Sequence, residues 1–172
     1  MRMEPLLEAS GVRKEFVAGG GHRVSALKGV SVRLRAGESL GLIGETGSGK
    51  TTLAKVLLGL IPVEGGEVRT EGIALGRLTG PQWRMFRRRF QMVFQQPLAS
   101  LDPHFTIGEA VGEPLVVHRV PKAERAAIVG RALEGVGLLP EVLDKVPAQL
   151  SGGQRQRVAI ARALVLQPSC LV

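Results

Sequence analysis

The residues GETGSGKT, Gly44–Thr51, limit the possible folds of this chain more than any other stretch. They match the pattern G-x-x-x-x-G-K-[ST] in full, directly after the apolar run Leu40–Ile43 and directly before the helical pattern of Lys50–Leu60. A buried strand, a glycine-rich loop and a helix in this order are typical of sites that hold phosphate groups. The sequence therefore predicts an α/β fold in which a buried strand at Leu40–Ile43 leads through the loop into a helix.

Each residue type in this loop suits a phosphate. Gly44, Gly47 and Gly49 let the backbone curl so that successive N–H groups point inward beside a helix N-terminus. The Lys50 ammonium would neutralise the β and γ phosphates, and the Thr51 hydroxyl would suit a Mg²⁺ ion that bridges them. The other candidates for nucleotide contact in this stretch are Glu45, Thr46, Ser48 and Thr52. The alternative is a glycine-rich turn that binds nothing, and the flanking elements argue against it.

Strand and helix patterns recur along the rest of the chain. Val30–Arg35 alternates apolar and polar residues, and Phe90–Phe94 is a short apolar run, so both predict strands. Apolar residues at helical spacing predict helices over Ala123–Val136 and Ser151–Gln167. The segment Pro97–Pro121 is dotted with proline and glycine, which predicts loops and short helices.

Composition narrows the class of protein. A chain of 172 residues with 44% hydrophobic residues is the size of one domain with a real core. No apolar run approaches the ~18 residues that a membrane-spanning helix needs. Glu4, Pro5 and Glu8 interrupt the start of the chain where a signal peptide would be apolar, so we expect a cytoplasmic protein. The lone Cys170 sits among apolar residues, which predicts a buried and inert thiol.

The formal charge of +8 would suit nucleic acid, anionic lipid or phosphate ligands. Five Phe, one Trp and no Tyr leave few aromatic platforms for single-stranded nucleic acid, so no direct nucleic-acid partner is expected. The arginines cluster at 84–89 and 155–157, and such clusters are usually solvated helix faces. Three histidines, His22, His104 and His118, have no spacing that indicates a metal site.

A second motif, LSGGQ at Leu150–Gln154, precedes RQRVAIARAL. On residue chemistry alone, Ser151 would cap a helix and the two glycines would form its turn. A phosphate loop alone leaves GTPases, kinases and recombinases open, but with LSGGQ the chain resembles the ATP-binding subunit of an ABC transporter. The resemblance covers about Leu6–Val172.

This resemblance implies a P-loop NTPase (ABC ATPase) nucleotide-binding domain, with an N-terminal antiparallel β part and a helical subdomain, incomplete at the C-terminus. It implies an ATP-binding core at about 1–95, a helical subdomain at about 96–150 and a signature helix at 150–167. ATP and Mg²⁺ are the implied cofactors. The partner is a second ABC ATPase subunit, in a homo- or heterodimer. The residues implied to grip the γ-phosphate of ATP on that subunit are Ser151, Gly152, Gly153 and Gln154.

Two further residues fall where the family places functional side chains. Gln95 lies at the position of a glutamine that binds the metal or the attacking water, so the resemblance implies catalytic roles for Lys50 and Gln95 and metal contacts for Thr51 and Gln95. Taken alone, Gln95 is an ordinary polar loop residue, and Gln96 blurs the assignment by one position. Phe16 falls where the family stacks an aromatic on adenine, and its alternative is a core side chain on the first strand.

The segment FQMVFQQPLASLDPHFTIGEAVGEPL, Phe90–Leu115, is more similar to importers of dipeptides, oligopeptides or nickel chelates. The resemblance then implies an ATP-hydrolysing subunit that energises uptake. It would act with transmembrane permease subunits, as a peripheral protein on the cytoplasmic face of the cell membrane. ABC proteins of DNA repair are a third class, but Gln95–Leu150 has neither the heptads nor the cysteines of their usual inserts.

The last residues, Ser169–Val172, start an apolar strand that in the family ends in Asp-Glu, where the aspartate serves the metal and the glutamate the attacking water. The sequence stops before both carboxylates and before the family's downstream histidine. We therefore expect the N-terminal part of an ATPase domain with poor solubility on its own. A nucleotide-binding fragment without hydrolytic activity is the alternative function.

Overall fold

A computed structural model describes residues 4–17, 19–95 and 101–172. The chain divides into two compact units, Met1–Trp83 and Arg84–Val172. The first unit is built on a sheet and the second mainly on helices.

The first unit contains an antiparallel sheet in the order β2-β1-β3-β4. Its strands are β1 (Leu7–Val17), β2 (Arg23–Leu34), β3 (Gly65–Thr70) and β4 (Ile73–Ala74). Leu7 of β1 lies opposite Leu34 of β2 on one side and Thr70 of β3 on the other. The alternating strand predicted at Val30–Arg35 is part of β2, whose pairing with β1 starts much earlier, at Arg23.

Helix α1 (Lys50–Leu57) follows the glycine-rich loop and buries Leu53, Val56 and Leu57. It ends three residues before the predicted Leu60, because Gly59 adopts a left-handed φ of 61°. The Leu60 N–H then donates to the Lys55 carbonyl at 2.8 Å, which closes the helix end.

The prediction of a buried strand at Leu40–Ile43 is wrong. These residues form no regular secondary structure, and Ile43 is 99% exposed. Within residues 4–17, 19–95 and 101–172, no strand pairs with them. A strand is stable only when neighbouring strands satisfy its backbone groups, so an apolar run without such a neighbour does not form one.

The second unit packs three helices around one apolar core. They are α3 (Ile107–Val117), α4 (Lys122–Glu134) and α5 (Gly152–Leu164). The fully buried side chains of this core include Ile107, Val111 and Leu115 of α3, Leu133 of α4 and Val158 of α5. Helix α2 (Gly80–Arg89) leads into the short strand β5 (Phe90–Gln91), which pairs in parallel with β6 (Cys170–Leu171).

The sequence predictions for this unit need two corrections. The strand predicted at Phe90–Phe94 is limited to Phe90–Gln91, although the Val93 N–H still donates to the Val172 carbonyl at 2.8 Å. The loops and short helices predicted over Pro97–Pro121 are replaced at Ile107–Val117 by a helix of 11 residues, while residues 97–100 lie outside the described part. Thr106 and Glu109 form a capping box that stabilises the start of this helix. The helix forms although Gly108, Gly112 and Pro114, which disfavour helices, lie within it.

Candidate functional site

The glycine-rich loop adopts a conformation that depends on glycine. Gly47 and Gly49 have φ angles of 84° and 94°, in the left-handed region that other residues avoid. A Cβ atom on Gly49 would lie 2.4 Å from the backbone oxygen of Ala26, so the loop also approaches β2 too closely for a side chain. The predicted need for glycine at these positions therefore has a conformational cause and, at Gly49, a steric one.

The Lys50 side chain folds back into this loop. Its Nζ donates to the carbonyl oxygens of Gly44 at 2.8 Å and Glu45 at 2.6 Å, and lies 3.3 Å from the Ser48 Oγ. The Ser48 N–H donates to the Glu45 carbonyl at 3.2 Å, which tightens the turn. The structure thus places one ammonium charge inside the curve of the predicted phosphate loop.

The start of α1 adds a second positive element. Gly49 is the N-cap and supplies no side-chain cap, and the first turn contains no acidic residue. The first N–H groups of a helix are unsatisfied and carry about half a positive charge together. Thr51, which is exposed, and Thr52, which is half-buried, lie in this first turn. These features fit an anion such as a nucleotide phosphate, with the Thr51 hydroxyl available to an accompanying Mg²⁺.

The LSGGQ motif forms the start of α5. The Ser151 Oγ accepts from the Gln154 N–H at 3.2 Å, and the Gln154 side-chain oxygen accepts from the Ser151 N–H at 2.9 Å. This capping box confirms the capping role predicted for Ser151. The two glycines follow Ser151 as the first two residues of the helix and so lie in its first turn.

Neither of these glycines is required by the fold of the described chain. A Cβ atom on Gly152 or Gly153 would meet nothing within 4 Å, and neither residue has a positive φ. Both residues are exposed. Glycine within a helix lowers stability by about 0.5–1 kcal/mol relative to alanine. Nothing in the described part of the chain compensates this loss at Gly152 or Gly153.

Phe16 and Gln95 are the remaining predicted site residues. Phe16 is 44% exposed at the end of β1, so its alternative interpretation as a core side chain is wrong. The Lys14 Nζ lies 5.3 Å from the centroid of the Phe16 ring, within cation–π range, and is also paired with Glu64. Gln95 is exposed in an irregular segment after β5, as predicted, whereas Gln96 lies outside the described residues.

The sequence contained no signal for Lys14, because an alternating strand gives no reason to bury a lysine. Lys14 is nevertheless buried, and Glu64 compensates its charge. The hydrogen bond and charge of Lys14 in turn hold the pKa of the Glu64 carboxyl below its usual range, aided by the Glu15 N–H. The pair fixes Lys14 beside the exposed Phe16 ring.

Comparison with known proteins identifies the family. Residues 27–172 match the family described as ABC transporter, which is more than half of the chain. The chain belongs to the ABC transporter family. The prediction drawn from the phosphate loop, Gln95 and LSGGQ is confirmed at the level of the family.

The curated ABC relatives include peptide transport proteins. The chain is 42% identical over 174 residues to the putative oligopeptide transport ATP-binding protein YkfD of Bacillus subtilis, which covers 100% of this chain and 53% of that protein. It is 47% identical over 150 residues to the glutathione import ATP-binding protein GsiA of Escherichia coli K12, covering 87% of this chain and 24% of that protein. The chain thus spans about half the length, or less, of these relatives.

Solved ABC structures confirm the fold predicted from the sequence. The ATP-binding cassette MJ0796, in a dimeric post-hydrolysis state bound to ADP and Pi, superposes with a TM-score of 0.86 at 32% identity. The match covers 96% of this chain and 72% of that one. The chain therefore has the fold of an ABC nucleotide-binding domain, in part. No helix among its described residues is long and apolar enough to cross a membrane.

Proposed function

We propose that this chain binds Mg-ATP through Gly44–Thr51 and is the ATP-binding part of an ABC importer of peptides. The observation that supports ATP binding most directly is the Lys50 ammonium inside a glycine loop at an uncapped helix N-terminus. Its hydrogen bonds to two loop carbonyls are bonds to neutral acceptors. A phosphate oxygen carries a formal negative charge, so it adds the attraction between opposite charges to the hydrogen bond that the ammonium donates.

The roles proposed for the phosphate loop follow from its geometry, and those proposed for Gln95 and Phe16 follow from the family resemblance. The backbone N–H groups of Glu45–Lys50 and the first turn of α1 surround the phosphates, and Lys50 neutralises their charge. Thr51 and Gln95 would each offer an oxygen to Mg²⁺, and the metal when bound would neutralise charge on the β and γ phosphates. Gln95 would also orient the attacking water. The exposed ring of Phe16 stacks on adenine, and the nearby Lys14 fixes the position of the ring.

The second part of the proposal concerns a partner ATPase subunit. Gly152 and Gly153 lie exposed at a helix N-terminus and have no internal reason to be glycine. Close approach by another molecule is such a reason, because glycine leaves the helix N–H groups accessible. We propose that Ser151, Gly152, Gly153 and Gln154 contact the γ-phosphate of ATP on a second subunit. The dimeric state of the similar cassette MJ0796 supports this arrangement.

The proposed cargo is a small peptide. The relatives YkfD and GsiA are described as oligopeptide transport and glutathione import proteins, which supports oligopeptides or glutathione over nickel chelates. Hydrolysis of ATP would drive uptake through transmembrane permease subunits. The chain would then act at the cytoplasmic face of the membrane.

Side-by-side measurement of Mg-ATP affinity and phosphate release tests the proposal. We expect Lys50→Ala to weaken Mg-ATP binding at least tenfold. Lys55→Ala is the matched control, because it removes the same charge from the same helix outside the loop. Equal losses in the two variants would contradict the proposed phosphate site. Lys50-dependent binding without phosphate release would identify a nucleotide-binding chain that does not hydrolyse ATP.

A further inference from the structure

A cavity of about 570 Å³ in the second unit has an arginine-rich rim, and we call it the cationic pocket. Its rim carries Arg88 of α2, Arg119 from the turn after α3, and Arg131 of α4, with His118 and Glu124 beside them. Its apolar walls include Leu115, Val120, Ile128, Ala132 and Leu166. The volume lies within the ~300–1,000 Å³ range that is typical of small-molecule sites.

The three guanidinium groups have no protein partner among the residues that the structure describes. Arg88, Arg119 and Arg131 form no ion pair there and donate no side-chain hydrogen bond. Glu124 is the one carboxylate among the described residues that line the pocket, and it too forms no ion pair within that part of the chain. Three separate elements thus each contribute an unpaired cation to one concave surface. On an extended flat patch, the same three charges would be spread apart.

Backbone conformation also singles out this pocket. Among the described residues, only Glu71, Arg119 and Gln167 combine a positive φ with a side chain. Arg119, at φ 58°, and Gln167, at φ 53°, both line the cationic pocket. Each residue closes the turn after a helix, where glycine or asparagine is usual. Keeping a long polar side chain at such a position costs backbone energy, and such residues are concentrated at functional sites.

The charges around the pocket sum to a positive value. The C-termini of α3 and α5 each contribute about half a negative charge and Glu124 contributes one, while the N-terminus of α4 contributes about half a positive charge. Three arginines exceed this total by more than one unit of charge. Burial, followed by the charges of Arg88 and Arg84, lowers the pKa of the His118 imidazole, which agrees with a positive local potential.

We propose that the cationic pocket binds a small multivalent oxyanion, with at least two phosphate or carboxylate groups, through Arg88, Arg119 and Arg131. Guanidinium groups present paired N–H donors that match both phosphate and carboxylate oxygens. The concave shape and the volume of about 570 Å³ favour a small molecule over a protein surface. This site is distinct from Gly44–Thr51 and does not depend on the proposed ATP function.

Nuclear magnetic resonance of the histidine ring protons in the full chain tests the proposal. Lys50→Ala serves as the background, so that anion binding at the phosphate loop is weakened. We expect inorganic pyrophosphate to shift the His118 signals saturably, while those of His22 and His104 remain unchanged. The His118→Asn variant assigns the signal. Titration with tricarballylate in parallel distinguishes a phosphate ligand from a carboxylate ligand, and saturation by either supports the proposal.

Charge variants define the site. Arg88→Gln and Arg131→Gln are each expected to weaken the affinity about tenfold, in line with the loss of one charge-assisted contact. Arg35→Gln, at an exposed arginine of the first unit, is the matched control and leaves the affinity unchanged. No saturable shift, equal weakening in the control, or binding of an acidic peptide without binding of either small anion would overturn the proposal.

Arg119→Gly separates a binding role from a structural one. Glycine adopts φ 58° without strain, so this variant is expected to raise the melting temperature while it weakens pyrophosphate binding about tenfold. A lower melting temperature together with unchanged binding would show that Arg119 serves the fold, and would count against the pocket.

Discussion

Replacing Gly153 by alanine is expected to make the chain more stable and less able to associate with a partner. The magnitude follows from the surroundings of Gly153. An added Cβ meets nothing within 4 Å and the φ angle is not positive, so neither a clash nor strain offsets the gain in helix propensity. That gain is about 0.5–1 kcal/mol for Gly→Ala in a helix interior, and we expect about 0.5 kcal/mol at Gly153, the second residue of α5.

For a chain of this size, 1 kcal/mol corresponds to a shift of about 2–4 °C in melting temperature. We therefore expect Gly153→Ala to melt about 1–2 °C higher by circular dichroism or calorimetry. The same methyl group would stand between the α5 amides and the γ-phosphate proposed to approach them. We expect sedimentation velocity in Mg-ATP to show at least tenfold weaker dimerisation.

Gly130→Ala provides the matched control. Gly130 lies within α4, its added Cβ would also meet nothing within 4 Å, and its φ is not positive. This variant should gain at least as much stability, because Gly130 lies in the helix interior, and should keep ATP-dependent dimerisation unchanged. A fall in melting temperature for Gly153→Ala would refute the structural reasoning, and unchanged dimerisation would refute the proposed partner contact.

Three other predictions follow. Gly49→Ala should lower the free energy of unfolding by about 2–4 kcal/mol, since its Cβ would clash at 2.4 Å in addition to the cost of a left-handed φ. Gly47→Ala should lower it by only about 1–2 kcal/mol, because only the φ cost applies. Urea unfolding of the two variants measures this difference. The pKa of His118 is lower in the folded chain than in the unfolded chain, so the unfolded chain binds more protons below about pH 6.5. The free energy of unfolding therefore keeps the full contribution of His118 above that pH and decreases as the pH falls below it. His118→Gln should flatten this dependence in melting curves measured from pH 7.5 to 5, and an identical slope would contradict the assignment. Burial raises the pKa of the Cys170 thiol, so iodoacetamide at pH 8 should modify it only after urea unfolding, and rapid labelling of the folded chain would contradict its burial.

Local features were predictable from the sequence because they are set by neighbouring residues. The glycine positions of Gly44–Thr51 and the helix start at Ser151 follow from rules that span a few residues. The capping box of Thr106 and Glu109 was equally local, and the pattern T-x-x-E was present. The prediction for Pro97–Pro121 rested instead on the prolines and glycines of that segment.

Non-local features were not predictable in the same way. The run Leu40–Ile43 has the composition of a buried strand, but a strand depends on partners that are distant in sequence. The burial of Lys14 depends on Glu64, 50 residues away, and the rim of the cationic pocket gathers arginines from three elements. No window of neighbouring residues contains such information.

Leu150, the first residue of LSGGQ, has a mechanical consequence. It is 4% exposed and belongs to the same core as Ile107 and Val111 of α3 and Val158 of α5. The exposed Ser151 is therefore attached directly to that core and cannot shift relative to α3 without opening it. Helix α5, about 20 Å long, connects this end rigidly to Leu164 at the wall of the cationic pocket. If α5 tilted as one rigid body, Leu164 at the cationic pocket would therefore be displaced together with Ser151.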